Sequence, residues 1–215
     1  MAGVKRILIV LFLAVGVLGA QDNTLQQAEA AYKRKDYPTA FKLYKQEAQR
    51  GEAQAIYHLG LMYRYGQWVD LDYGIATKYL EKAEKIGVAD AYLELADMAA
   101  DIKNAKGELL CERALLYANK ALELSPKRAD IYERVGLLYL RVQWSNHTCS
   151  LKDFSQYSQE VQYKKKIFQK GLSYLEKAGE MGDFGAYTTL SYFYAAGDFR
   201  FERSFKKPSN TILKQ

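Results

Sequence analysis

Two histidines and two cysteines are the side chains of this 215-residue chain best suited to nucleophilic or metal chemistry. His147-Thr148-Cys149 sets an imidazole beside a sulfur. A thiol nucleophile needs a thiolate and a base oriented in space, and proximity in a tripeptide supplies neither. A metal centre wants three or four converging ligands, and His147 with Cys149 offers two. His58 falls inside a helical pattern, where a structural or surface role is expected. Asn146-His147-Thr148 matches the glycosylation acceptor, which has meaning in a eukaryotic secretory pathway. The chain carries no nucleophile elbow, HExxH helix or phosphate loop. No catalytic residue, metal or cofactor is expected, and the chain reads as a non-enzyme.

Cys111 and Cys149 lack CxxC spacing and lie 38 positions apart. In an oxidising compartment an even pair reads as a disulfide, the alternative being two free thiols. A bridge closing that loop would contribute about 3–4 kcal/mol if unstrained. The N-terminus points to such a compartment. Lys5 and Arg6 precede an apolar run from Ile7 to Leu18, and polarity begins at Gln21. That run is shorter than the roughly 20 residues that span a bilayer. With its basic flank it reads as a cleavable export signal over 1–20, cut after Gly19 or Ala20, the alternative being an uncleaved anchor. Gln21 stands where a lipid-anchored variant would need a cysteine. The mature chain, 21–215, is expected to be periplasmic or secreted, with no stable membrane insertion.

Loss of Lys5 and Arg6 takes the formal charge from +6 to +4, spread along the chain. The dense run Lys164-Lys165-Lys166 lies in a helical pattern and reads as a solvated face. Nucleic-acid binding would need a broader basic stripe, so no nucleic-acid partner is expected.

Aromatic residues are the remaining candidates, with 18 Tyr against 3 Pro. Trp and Tyr dominate interfaces because they bury large area at low entropy cost. Tyr57, Tyr65, Trp68, Tyr132, Trp144, Tyr157 and Tyr187 are the expected contacts to another protein. For each Tyr the alternative is interior packing in a seam. Trp68 and Trp144 sit in turn or insertion sequence, outside the small-residue packing positions.

The elements that must position these residues come in pairs. Leu25, Ala28, Ala31 and Tyr32 mark a first helical face within 24–34, and Asp36 and Pro38 open a second helix that stops at Gly51. This is a degenerate unit: eight residues separate Ala40 from Ala48 where later units have seven. A full unit runs from Ala53 to Gly87. In it Ala55 and Gly60 permit close approach, Gly66 makes the turn, Asp70 or Asp72 caps, and Gly87 terminates. The pattern recurs at Ala89, 36 residues on, with Leu95 and Ala96, then Ala114, Tyr117, Lys120 and Ala121. A fourth unit starts at Ala129, a further 40 residues on, with Val135, Gly136 and Tyr139. Its second helix is expected only at Gly171, after an insertion over about 143–162 in which Ser150 and Asp153 mark a short helix. A last first-helix pattern, Ala186 to Gly197, leads into Phe199-Arg200-Phe201-Glu202-Arg203-Ser204-Phe205 without a complete second helix.

The motif A-x-A-x-x-x-L-G-x-x-Y-x-x-G of residues 53–66, followed by D-x-x-x-A-x-x-Y-x-x-K-A-x-x-x-G over 72–87, resembles the Sel1-like repeat family, relatives of the tetratricopeptide repeats. The third unit closes as Ala121-Leu122-Glu123-Leu124-Ser125-Pro126, which is similar to the tetratricopeptide pattern. The resemblance implies an all-α fold, a right-handed α/α superhelical solenoid of helix pairs whose first helices line a concave binding surface. It further implies an exported bacterial scaffold, adaptor or inhibitor, such as an immunity protein or an envelope or motor assembly factor. The alternative is a protein that binds or hydrolyses cell-wall fragments or β-lactams. A cysteine-rich branch of the family has paired cysteines in each repeat, and this chain has one pair in all. The incomplete last unit leaves an end available for self-association.

Overall fold

The computed structural model describes residues 23–101, 111–144 and 157–195. Over them the chain forms nine helices in sequential pairs: α1 (23–33), α2 (Tyr37–Gln49), α3 (Ala53–Tyr65), α4 (Tyr73–Lys85), α5 (Ala89–Asp101), α6 (Cys111–Leu124), α7 (Ala129–Trp144), α8 (Tyr157–Glu180) and α9 (Phe184–Ala195). The chain is an all-helical, Sel1-like solenoid in which odd-numbered helices are the first of each unit and even-numbered ones the second.

Local signals set the helix ends. Asp36 and Asp72 cap α2 and α4, their carboxylates accepting from the Thr39 and Ile75 amides at 3.3 and 2.8 Å. Of the two candidate caps for α4, Asp72 takes the role. Gly87 follows α4 at φ 93°, a backbone state that costs glycine nothing. There the Val88 amide reaches back to the Ala83 carbonyl, the Schellman closure that satisfies orphan carbonyls. The same closure recurs after α2, with Glu52 bonded to Glu47, and after α8, with Asp183 bonded to Ala178.

Small residues decide how closely the pairs pack. A β-carbon on Gly60 would lie 2.9 Å from the Leu80 side chain, so α3 and α4 approach through that glycine. The fourth unit repeats the device with Gly136 against Leu175. Two apolar clusters, one over α1–α5 and one over α5–α9, meet at α5. That helix buries nine of its thirteen residues, because it has a neighbour on either side.

Two expectations are corrected. The seven-residue spacing holds in α2 after all, and the position corresponding to Ala83 is filled by Glu47, which is 2% exposed and accepts from Arg50 at 2.6 Å. The second helix of the fourth unit starts at Tyr157, not at Gly171, so the C-terminal part of the expected insertion is helix continuous with α8. Ser150, Asp153, Asn146, His147 and Cys149 lie outside the described residues, as do residues 1–20, where a signal is expected, and the Phe-rich stretch 199–205.

Candidate protein-interaction surface

The first helices of successive units stand side by side, so equivalent positions form columns across them. One column is His58 of α3, Glu94 of α5 and Arg134 of α7, with Tyr65, Asp101 and Arg141 two turns further along. Arg134 donates to the Glu94 carboxylate at 2.8 Å and to Asp97 at 3.1 Å. Arg141 donates to Asp97 at 2.7 Å and faces Asp101. Arg64 pairs with the other Glu94 oxygen and reaches the Glu94 carbonyl at 3.3 Å. At the next turn Arg128 holds Asp90 with both terminal guanidinium nitrogens, at 2.6 and 3.0 Å, and also binds Asp130.

Glu94 is the centre of this ladder. Its side chain is 6% exposed and touches charges from two other helices, while Tyr65 donates to it at 3.2 Å. A charge so far from water is tolerable only when its oxygens are bonded, and here both are. Burial, then the Glu94 charge, raises the Tyr65 phenol pKa and keeps it a donor. Burial does the same for Tyr57, whose neighbours are Glu94, Asp90 and Arg134.

At the N-terminal end of the column the polar partners give way to rings. His58 stacks on Tyr44 at 4.6 Å with planes 9° apart, and Tyr32 and Tyr57 close around it at 5.1 and 5.3 Å. The buried His58 Nδ1 and Tyr44 hydroxyl have no hydrogen-bond partner among the described residues. Burial lowers the His58 pKa to about 4, against a smaller opposing effect of Asp90.

The rim of this face is the α3–α4 loop. Gln67 ties it down, accepting from Tyr32 at 2.9 Å and donating to Tyr37 at 3.4 Å, and the Asp72 amide bonds the Tyr63 carbonyl at 3.0 Å. Between these anchors Trp68 has φ 71° and is 63% exposed. It lines an open groove of about 450 Å³ with Tyr63, Val69, Asp70, Asp72 and Ile75. Leu71 and Tyr73 are exposed beside it.

The expected contacts thus separate. Tyr65, at the end of α3, and Trp68, in the α3–α4 loop, are exposed, whereas Tyr57 is half-buried. Tyr132 is 7% exposed, packed under the Lys177 ammonium at 4.9 Å and against Tyr174, and has no surface to offer a partner. Tyr187 is half-buried, its ring lying on the backbone of Gly179. The side chains of Trp144 and Tyr157 are outside the described residues. Cys111 is buried at the start of α6, and Cys149 lies outside the described residues. The ladder itself was not among the expected contacts. The signal existed: Glu94 and Arg134 are opposite charges one repeat apart, as are Asp101 and Arg141.

No protein-family model matches the chain. Among solved structures it is similar to a Sel1 repeat protein from Oxalobacter formigenes, with a TM-score of 0.61 and 23% identity over 90% of this chain and 69% of that one. It is also similar to a protective antigen of uropathogenic Escherichia coli that displays an SLR fold, with a TM-score of 0.58 and 19% identity over 84% of this chain. This chain spans 35% of that antigen's length. At such identities the likeness shows the fold, which is that of Sel1-repeat proteins. In sequence, a 63-residue stretch is 38% identical to an uncharacterized protein of Neisseria meningitidis serogroup B, covering 29% of this chain and 14% of that protein.

Proposed function

Starting from the Sel1-repeat fold, typically a protein-interaction module, we propose that this chain is an exported, non-enzymatic protein that holds another protein on its first-helix face, as scaffold, adaptor or inhibitor. The observation that carries the reading is Trp68. An L-residue at φ 71° costs about 1–2 kcal/mol. The indole gains nothing from the core in return, since it is 63% exposed. An indole held in water at the edge of a groove fits an interface anchor. The ladder behind it supplies a rigid, charge-patterned surface that favours a partner of matching pattern.

Export rests on the basic flank and apolar run at Lys5–Leu18. Among the described residues no helix is long and apolar enough to cross a membrane. In the oxidising compartment this implies, Cys111 and Cys149 form a disulfide.

Affinity capture from a periplasmic fraction tests the function. The intact chain retains a partner, whereas Trp68→Ala loses it with helicity and melting unchanged, and Tyr65→Ala loses it with some loss of stability through Glu94. Equal capture by all three would sink the reading, and so would saturable binding or turnover of peptidoglycan fragments or β-lactams. Alkylation before and after reduction tests the bridge: labelling of both cysteines without reductant disproves it.

A further inference from the structure

The second helices build a groove that the repeat pattern does not contain. It lies between α6 and α8, is open to solvent and measures about 410 Å³. Glu112, Leu115, Leu116 and Asn119 form one wall, and Tyr163, Lys166, Ile167 and Lys170 form the other, with Tyr139 below. Each wall is spaced i, i+3, i+4, i+7, so each is a single helix face about two turns long.

Both walls depart from the repeat. Where α6 presents Leu115, Leu116 and Asn119, the same positions of α4 are Thr77, Lys78 and Glu81. The wall from α8 exists because that helix starts about three turns earlier than α4 does within its unit. Tyr163, Lys166 and Ile167 all belong to that extension. Stacking of units therefore does not require this groove.

Its chemistry is specific. Leu115 and Ile167 make an apolar floor at 8% and 5% exposure, while Leu116 stands 59% exposed at the edge. Asn119 is held in place by accepting from Tyr139 at 2.9 Å and Tyr174 at 3.2 Å. Lys170 lies over the rings of those two tyrosines, and Glu112 on the facing wall is the carboxylate that lines the groove among the described residues. The α8 flank is thus cationic, two lysines against one carboxylate on the facing wall, and the bottom is apolar.

We propose that this groove is a second docking site, for a short amphipathic helix of a partner protein whose apolar side chains, one turn apart, are flanked by acidic residues. A helix laid between two parallel helices inserts its i, i+4 side chains into the trough, the recurring helix-in-groove mode. Its carboxylates meet Lys166 and Lys170 at the α8 flank. The site is separate from the first-helix face and does not depend on it.

A labelled, stapled helical peptide with two leucines one turn apart and flanking glutamates tests this on the full chain. Its counterpart carries lysines in place of the glutamates. The glutamate peptide binds at least about tenfold more tightly than the lysine peptide. Leu116→Asp, at an exposed position, weakens it by about tenfold or more without changing the melting temperature. Lys166→Glu narrows or reverses the preference, an outcome that misfolding cannot produce. Trp68→Ala leaves peptide binding intact, which separates this site from the first-helix face. Equal affinity for the two peptides, no binding of either, or indifference to Leu116→Asp overturns the proposal. A dimer that sediments apart on Leu116→Asp would assign the groove to a second copy of the chain and likewise overturn it.

Discussion

Gly136 of α7 and Gly171 of α8 meet backbone to backbone. A β-carbon on Gly136 would lie 2.9 Å from the Gly171 carbonyl oxygen, and one on Gly171 would lie 3.1 Å from that of Gly136. Backbone cannot rotate away, so alanine at either position must push the helices apart. Each substitution is expected to cost about 1–3 kcal/mol in urea unfolding. Gly60→Ala should cost less, because it meets a Leu80 side chain that can turn. If Gly60→Ala proves the worst of the three, the α7–α8 contact is looser than described.

Glu94 binds Arg64 and Arg134 at once. Glu94→Gln leaves the Arg64 side chain, 10% exposed, without its counter-charge. A loss of about 3 kcal/mol is expected. Arg141→Ala, by contrast, removes a side chain that is 47% exposed and should cost no more than about 1 kcal/mol. Unfolding midpoints at low and high salt check this. A small Glu94→Gln effect would show that the ladder is an ordinary surface pair.

Stability should fall with acid through His58. Its imidazole is neutral in the folded chain down to about pH 4, whereas in the unfolded chain it protonates near 6.5. Above 6.5 neither state takes the proton and stability is full. Below 6.5 the unfolded state binds it first, so stability drops until the folded pKa is reached, by about 3 kcal/mol at most. His58→Phe keeps the stack on Tyr44 and lacks the proton site. Its difference in unfolding free energy between pH 7.5 and 4.5 should be smaller than that of the parent chain. An identical loss in both would place the acid sensitivity elsewhere.

Lys35 ends α1 at φ 63°, the place that glycine fills after α4 and α8. Its amide bonds the Tyr32 carbonyl at 2.9 Å, so the turn is the same and only the side chain is strained. Lys35→Gly should raise stability by about 1 kcal/mol or less, since glycine also gains entropy when unfolded. Thermal melting settles the sign. The reverse change, Gly87→Ala, meets nothing within 4 Å and should cost about 1 kcal/mol through φ alone.

Helix order, caps and glycine stops were legible because they are local. Asp36, Pro38, Gly66 and Gly87 act on their own turn, and no distant contact can reverse them. Gly60 was legible as a close approach and Gly136 as falling in register with it, though not that Gly136 would face a second glycine. Which tyrosines are core was not legible. Tyr57 and Tyr132 both occur on first helices, yet one remains half-buried and the other lies under Lys177.

By itself, then, the chain's residue spacing determined a stack of helix pairs, since periodicity and end signals depend on neighbours within a few positions. Only the tertiary arrangement decided that Glu94 is shared by two arginines, that Trp68 is held in water, and that α8 extends to wall a groove. Those outcomes depend on side chains brought together from units about forty residues apart, where the energy of a contact belongs to the pair and not to either residue alone.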